Sequence, residues 1–230
     1  MMVRWERAGR ETVGHAMHET MKHALRLWQH GVVPLPLCEG GKHLDLSQMG
    51  YEPMHLSSRS KLLKELAFRG IAFHLSQRPP EPSTVEGWFS SEKANIGILG
   101  GFAELIILDF DRMRGFERWR KQNAKLVART PVERSPRGVH VYLRCSEPTV
   151  STSLYFGLRK IGHVKALGGY AVTAPSVLRN GGTYRWLPGQ SLLDLEPQKI
   201  RSLATLGLRP LSPLKHCYDR VLNRGGFVPG

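Results

Sequence analysis

Apolar residues in the first third of the chain recur mostly at helical spacing. The pattern predicts a helix over 15–30, ended by Gly31, inside an N-terminal helical lead over 12–31. A second helix is predicted over 60–69. The proline-containing segment 32–37 suits at best an edge strand, because proline cannot donate a backbone hydrogen bond to a neighbouring strand.

The rest of the chain alternates between short strands and short helices. A strand is predicted over 71–75, and Ser83 with Glu86 forms a capping box at the start of a short helix. Helices are also predicted over 115–128 and 197–206. Further strands are predicted over 95–99, 104–111, 139–144, 170–174 and 183–186.

No linker-like segment interrupts this series of elements. We therefore predict an α+β fold with one domain over 1–208 and a C-terminal tail over 209–230. The segment 104–111 has the apolar body of a central strand that is buried on both faces.

Charge is the most informative feature of the composition. The chain holds 33 Lys and Arg against 19 Asp and Glu, a formal net charge of +14, which indicates an anionic partner and most often nucleic acid. No apolar run is long enough for a membrane helix, so no membrane association is expected. Three widely spaced cysteines argue against a disulfide scaffold or a Cys-x-x-Cys zinc site and predict a cytoplasmic location.

Part of this charge lies on the predicted helix over 115–128 and its start. Arg114, Arg118, Lys121 and Lys125 follow at i, i+4, i+7 and i+11, which places them on one helical face. A solvated surface helix is the alternative, but such a face ordinarily mixes both signs, and Glu117 is the one acid of this helix. We expect these four residues to bind the phosphates of DNA.

Two aspartates follow the predicted central strand. Asp109 and Asp111 are separated by one residue, so their side chains point the same way along an extended chain. Converging carboxylates repel unless a cation neutralises them, and Mg²⁺ prefers carboxylate oxygens together with substrate phosphates. The pair could instead cap the next helix or solvate the strand end. Its basic surroundings favour a metal-dependent nucleotidyl-transfer site.

The predicted strand over 139–144 carries a histidine. His140, Tyr142 and Arg144 share one face, and the opposite, apolar face is expected to be the core face. The alternative is a half-buried histidine whose hydrogen bonds are structural. Arg137 and Gly138, just before the strand, suit a close approach of phosphate to the backbone.

Several motifs occur in an order that is specific even though each one alone is loose. They are Trp88, Asn95-Ile-Gly-Ile, Leu108-Asp-Phe-Asp111, Ser135-Pro-Arg-Gly-Val-His-Val-Tyr142, Gly168-Gly-Tyr-Ala-Val-Thr-Ala-Pro-Ser176 and Tyr184-Arg-Trp186. Over about 24–188 the sequence resembles the bifunctional primase-polymerase branch of the archaeo-eukaryotic primase superfamily.

This resemblance implies a primase-like catalytic core, made of an N-terminal αβ unit plus an RNA-recognition-like sheet. It implies a DNA primase/polymerase that uses (d)NTPs and a DNA template and primer in replication of a phage, plasmid or mobile element. Asp109 and Asp111 would hold a two-metal site of Mg²⁺ or Mn²⁺. His140 would be a catalytic contact to the phosphates of the incoming nucleotide, with Arg137 as a second contact. A helicase, which is often fused in this family, would lie on a separate chain.

The third motif departs from the family pattern. The family commonly has an acid, one variable residue and a basic residue just before Gly-Gly-Tyr, where this chain has His163-Val164-Lys165. Lys165 keeps the nucleotide-binding position, whereas His163 replaces the acid as the third metal ligand. Imidazole favours softer ions, so His163 would shift the preference from Mg²⁺ to Mn²⁺.

Three alternatives to a polymerase that uses His163 as its third metal ligand stay open. An acid from elsewhere, such as Glu104 or Asp194, could supply the charge. The chain could be a catalytically degenerate primase-fold protein that binds DNA or nucleotide in replication initiation, or it could be a metal-dependent nuclease. Three aromatic residues could either stack on bases or pack in the core, namely Tyr170, Tyr184 and Trp186.

Overall fold

The computed structural model describes residues 18–51 and 61–211, and of 61–67 and 211 it describes the backbone alone. The described chain is an α+β fold. Its α-helices are α1 (Glu19–Gln29), α2 (Lys61–Gln77), α3 (Pro82–Trp88), α4 (Met113–Arg120) and α5 (Ala124–Val127). Its strands are β1 (Pro34–Leu37), β2 (Asn95–Leu99), β3 (Leu105–Phe110), β4 (Val132–Arg134), β5 (Val139–Cys145), β6 (Thr152–Phe156), β7 (Arg159–Lys165), β8 (Tyr170–Thr173), β9 (Arg185–Trp186), β10 (Gln198–Ile200) and β11 (Leu208–Leu211).

The strands form two sheets. The smaller sheet has the order β1-β2-β8, and the larger has the order β11-β6-β7-β3-β5-β4-β9, with antiparallel neighbours throughout. β10 pairs with β5 in parallel. β3 thus lies in the middle of the larger sheet, between β7 and β5.

Both faces of β3 are buried, which confirms the prediction of a central strand. Leu105 and Ile107 pack into a core shared with α1, α3 and the smaller sheet. Ile106, Leu108 and Phe110 pack into a second core, which contains Phe116 and Trp119 of α4. The strand is held from both sides up to its last residue, so the residues that follow start from a rigid position.

Two predictions in the N-terminal half are wrong. Segment 71–75 is helical, because α2 continues past Gly70 to Gln77 and buries Ala72 and Leu75 at helical spacing. The predicted capping box is absent: α3 begins at Pro82, and its N-cap residue Glu81 makes no side-chain capping bond. Proline at the first turn needs no partner for a backbone N–H, so the helix starts without a polar cap.

Two helix predictions in the C-terminal half also need correction. The helix over 115–128 is broken between α4 and α5, where the side chain of Asn123 donates to the Trp119 carbonyl. The helix over 197–206 is replaced by β10 and a 3-10 turn (Leu203–Leu206), since β4 pairs only with the first half of β5 and β10 pairs with the second half. Gly207 ends that turn in the left-handed region, as its position predicts.

The boundary predicted at 208/209 falls inside β11, which runs to Leu211 and pairs with β6. The predicted tail beyond it, the start of the helical lead over 12–17 and Cys217 lie outside the described residues. Cys38 and Cys145 are free thiols. Within the described parts of the chain, no helix combines the length and apolarity that crossing a bilayer requires.

Candidate catalytic site

A row of polar side chains crosses the larger sheet at the end of β3. Asp109 pairs with His140 of β5 on one side and with His163 of β7 on the other. Directly paired residues project from the same face of a sheet, so the three side chains lie side by side. Glu133 of β4 extends the row, because it pairs with His140.

Two glycines allow the neighbouring strands to close around the end of β3. A Cβ atom on Gly138 would overlap the Phe110 carbonyl oxygen, and one on Gly162 would overlap the Asp109 carbonyl oxygen. Any other residue at either position would therefore push its strand away from β3. The glycines bring both flanking strands close enough to place their histidines beside Asp109.

Asp109, Asp111 and His163 form a cluster with metal-ligand spacing. Each offers a ligand atom, and these atoms all lie within 4.8 Å of one another. Nδ1 of His163 is 3.5 Å from Oδ1 of Asp111. This convergence confirms that the two aspartates point the same way. Two carboxylates and one imidazole suit a divalent cation, and the nitrogen donor suits Mn²⁺ better than Mg²⁺.

Charge and burial set the ionisation of these ligands. Burial would raise the pKa of Asp109, but the hydrogen bond and charge of His140, with Lys165 and His163, lower it to about 2. Burial, followed by the charges of Lys165 and Lys160, lowers the pKa of His163. An ionised carboxylate and a neutral imidazole are the forms that bind metal.

Each nitrogen of the His163 ring has a neighbour. Nδ1 faces Asp111, and Nε2 lies 3.0 Å from Nζ of Lys160. Ligation through Nδ1 would place the ring proton on Nε2, so Lys160 would have to turn away from the ring. His163 and Lys165 are half-buried while Val164 is fully buried between them, which confirms that the two share a face.

His140 is held between two carboxylates. Its Nε2 is 3.4 Å from Oδ1 of Asp109, and its Nδ1 is 3.0 Å from Oε2 of Glu133. Burial alone would lower the pKa of His140, but these two hydrogen-bonded partners raise it to about 9. The imidazole is therefore protonated at neutral pH, with Nδ1–H donating to Glu133 and Nε2–H facing Asp109.

The face of β5 that carries His140 is itself buried, which corrects the prediction of a single apolar core face. His140 is 4% exposed and Tyr142 is 0% exposed. Tyr142 belongs to the core that contains the smaller sheet, whereas Val141 belongs to the other core. The reason is tertiary: the smaller sheet covers this face of the larger one.

Glu133 was missed by sequence reasoning. It is fully buried and accepts hydrogen bonds from the Tyr142 hydroxyl, the Thr173 hydroxyl and the Ala174 backbone N–H, in addition to His140. The one local signal is an acid in the apolar setting of Pro131-Val132. That signal does not say which donors surround it, because they come from β5 and β8.

A cleft of about 850 Å³ lies above the row. Arg137, His140 and Lys165, the predicted nucleotide contacts, all line it together with both aspartates. Three aromatic residues differ in their placement. Tyr184 is buried against the His140 ring, Trp186 packs on Tyr142, and Tyr170 is half-buried in the cleft wall.

The two alternative acids lie away from the metal-ligand cluster. Glu104 immediately precedes β3, at the opposite end of that strand from Asp109. Asp194 is exposed, and its carboxylate accepts hydrogen bonds from the backbone and hydroxyl of Ser191. Neither residue therefore replaces His163 in the cluster.

The four predicted DNA contacts do not share one helical face, because α4 ends at Arg120. Arg114 and Arg118 remain one turn apart on α4 and line a second, smaller cavity that includes Asp111. Lys121 follows the end of α4 and Lys125 lies on α5. Both lysines are exposed, and neither lines that cavity.

A comparison with known protein families supports the resemblance indicated by the motifs. The family model described as "Bifunctional DNA primase/polymerase, N-terminal" matches residues 24–204. This match contains α3, the whole row of site residues and the segment 135–142, and it extends further than the resemblance seen from the motifs. No curated protein gives a significant match. With most of its length matched by that model, the chain belongs to the bifunctional DNA primase/polymerase (Prim-Pol) family.

Proposed function

We propose that this protein is a DNA primase/DNA-directed DNA polymerase, a metal-dependent nucleotidyltransferase that adds (d)NTPs to a strand under the direction of a DNA template. The observation that carries this proposal is the register that sets Asp109 between His140 and His163 at the floor of a cleft lined by Arg137 and Lys165. The two sheets would be the αβ unit and the RNA-recognition-like sheet of a primase-like catalytic core.

Asp109, Asp111 and His163 would hold the catalytic cation, Mg²⁺ or Mn²⁺. When bound, such a cation neutralises the developing charge on the phosphates and lowers the pKa of an attacking hydroxyl. His163 makes the cluster one negative charge poorer than a third carboxylate would. We therefore expect Mn²⁺ to support activity better than Mg²⁺.

The cationic side chains of the cleft would bind the triphosphate. His140 is protonated, and its Nε2–H points towards Asp109, so a phosphate oxygen that displaces this contact would receive a charged hydrogen bond. Arg137 and Lys165 add positive charge to the lining of the same cleft. Glu133 holds the ring from behind, so the donor is oriented before the substrate arrives.

Incorporation of a labelled dNTP on a primed template tests this function. We expect the wild-type protein to extend the primer with Mn²⁺ and more slowly with Mg²⁺. Asp109→Asn and Asp111→Asn should each lower the rate by about 10²–10³-fold or more. Asp194→Asn is the matched control, because that carboxylate is exposed and remote from the cleft, and it should leave the rate unchanged.

The second candidate is a catalytically degenerate protein that binds DNA or nucleotide in replication initiation. The missing third acid is the observation that favours it. Folded wild-type protein that incorporates nothing with either metal would overturn the polymerase proposal and support this candidate. Shortening of the DNA without nucleotides would identify a nuclease. The replicon and a helicase on a separate chain stay predictions from the resemblance.

A further inference from the structure

A second cavity, of about 230 Å³, opens between the start of α4 and the β6–β7 hairpin. Its lining includes five cationic residues, namely Arg112, Arg114, Arg118, Arg159 and Lys160. Asp111 is the one acidic residue of the lining, and it also lines the larger cleft of about 850 Å³ described above. Asp111, one member of the metal-ligand cluster, therefore faces both cavities.

The cationic groups of the second cavity lack acidic partners. Among the residues that the structure describes, none of the five forms a salt bridge with a carboxylate, whereas Arg120 on the same helix pairs with Glu117 at 2.8 Å. Lys160 contacts a neutral partner, the His163 ring. Five like charges around one small cavity repel each other, and a bound anion would remove that repulsion.

The start of α4 adds to the attraction for an anion. The N-cap of this eight-residue helix, Arg112, makes no side-chain capping bond, so the first backbone N–H groups keep no side-chain acceptor. These groups carry partial positive charge and bind phosphate oxygens readily. Arginine side chains also match the geometry of phosphate oxygens. The chemistry of the cavity is that of a phosphate site.

The two cavities share Asp111 and otherwise have different linings. Arg137, His140 and Lys165 line the larger cleft and come from both sides of β3, whereas Arg159, Lys160 and the start of α4 line the second cavity. In phosphoryl transfer the attacking and leaving oxygens are roughly in line, on opposite sides of the reacting phosphorus. If the triphosphate occupies the larger cleft, the attacking strand has to approach the metal ligands from another direction, and the second cavity offers a cationic surface next to Asp111.

We propose that the second cavity binds backbone phosphates near the 3′ end of the DNA strand that is extended. The inference rests on the proposed function, because that function places the triphosphate in the larger cleft. It assigns Arg159 and Lys160 of β7 and Arg114 and Arg118 of α4 to the primer strand. Lys160, which leaves the His163 ring when a metal binds there, is free to join them.

Fluorescence anisotropy of a labelled primed template tests the site without catalysis, in EDTA and without nucleotide, over a series of KCl concentrations. Arg159→Gln/Lys160→Gln should weaken binding by about 100-fold or more, as expected for two lost charged hydrogen bonds. The slope of log K against log salt should become shallower by about 2, one for each phosphate contact. Arg114→Gln/Arg118→Gln should act in the same direction from a separate element.

The matched control is Lys199→Gln/Arg201→Gln. It removes the same charge from exposed residues in and just after β10, which pairs at the far end of β5 from His140. We expect this control to bind the primed template within about twofold of the wild type. Melting curves followed by circular dichroism establish that each variant is folded.

Steady-state extension with Mn²⁺ then identifies the bound group. Loss of the cationic side chains of the second cavity should raise KM for the primed template and leave KM for the dNTP unchanged. A rise in KM for the dNTP alone, or wild-type affinity and salt slope in both cavity variants, would overturn the assignment. Because binding is measured without metal or nucleotide, a wild type that incorporates nothing affects the proposed function and leaves the binding result interpretable.

Discussion

Replacing Glu133 by alanine removes one acceptor from four donors inside the protein. Oε2 accepts from Nδ1 of His140 and from the Tyr142 hydroxyl, and Oε1 accepts from the Thr173 hydroxyl and the Ala174 N–H. Glu133 itself is 0% exposed, and the donors are buried. Glu133→Ala leaves these donors without their charged acceptor, and a water molecule in the vacated space would not restore the lost negative charge.

The size of the effect follows from two independent considerations. Removing one partner of a buried, hydrogen-bonded charge pair costs about 3–5 kcal/mol. The carboxylates that flank His140 overcome its burial and raise its pKa from 6.5 to about 9, which corresponds to about 3 kcal/mol shared between Asp109 and Glu133. We therefore expect Glu133→Ala to lower the free energy of unfolding by about 3–5 kcal/mol and Tm by about 6–20 °C.

Glu133→Gln should be milder. Its amide oxygen can still accept from Thr173 and Ala174, but its amide nitrogen faces two donors, so we expect a loss of about 1–3 kcal/mol. Urea unfolding at pH 7 in EDTA measures both variants against Glu147→Gln, an exposed glutamate whose replacement should change stability by less than about 0.5 kcal/mol.

The same variants report on the orientation of His140. Since the ring loses its rear partner, extension assays on folded Glu133→Gln should show a raised KM for the dNTP with unchanged affinity for primed template. A loss below about 1 kcal/mol for Glu133→Ala would refute the reasoning, because no buried carboxylate that accepts four hydrogen bonds could be removed at so little cost.

Three further predictions concern the same region. Gly138→Ala should destabilise the protein by about 1–3 kcal/mol, because its Cβ overlaps the backbone of β3, whereas Gly87→Ala, in open space on α3, should be neutral or stabilising in the same urea assay. Ionisation of His140 contributes stability that is complete below pH 6.5 and is lost as pH rises through about 9, so wild-type protein in EDTA should lose stability between pH 7 and 9.5, and His140→Gln should lack this loss. His163→Asp should raise the ratio of Mg²⁺-supported to Mn²⁺-supported incorporation, and an unchanged ratio would exclude the ring as a ligand.

The local pattern of residues was sufficient to predict the structure where a single segment contains all the residues that determine it. The long apolar body of β3, followed by Asp109 and Asp111, predicts a buried strand with two carboxylates at its end, and the motifs around it indicate the family. In short segments without a marked hydrophobic period, contacts with other elements determined the secondary structure. Segment 71–75 joined a helix because its apolar residues continue the face of α2. Segment 198–200 became a strand because β4 pairs only with the first half of β5 and leaves 143–145 for β10.

The amino-acid sequence by itself identified the candidate site residues: two neighbouring aspartates, a histidine strand and a histidine in the place of an acid. The tertiary structure alone decided which of them meet. Strand register sets Asp109 between His140 and His163, and it buries Glu133 behind His140. These pairings join segments that are distant in the chain, and their energy comes from hydrogen bonds and packing between strands, so no local run of residues encodes them.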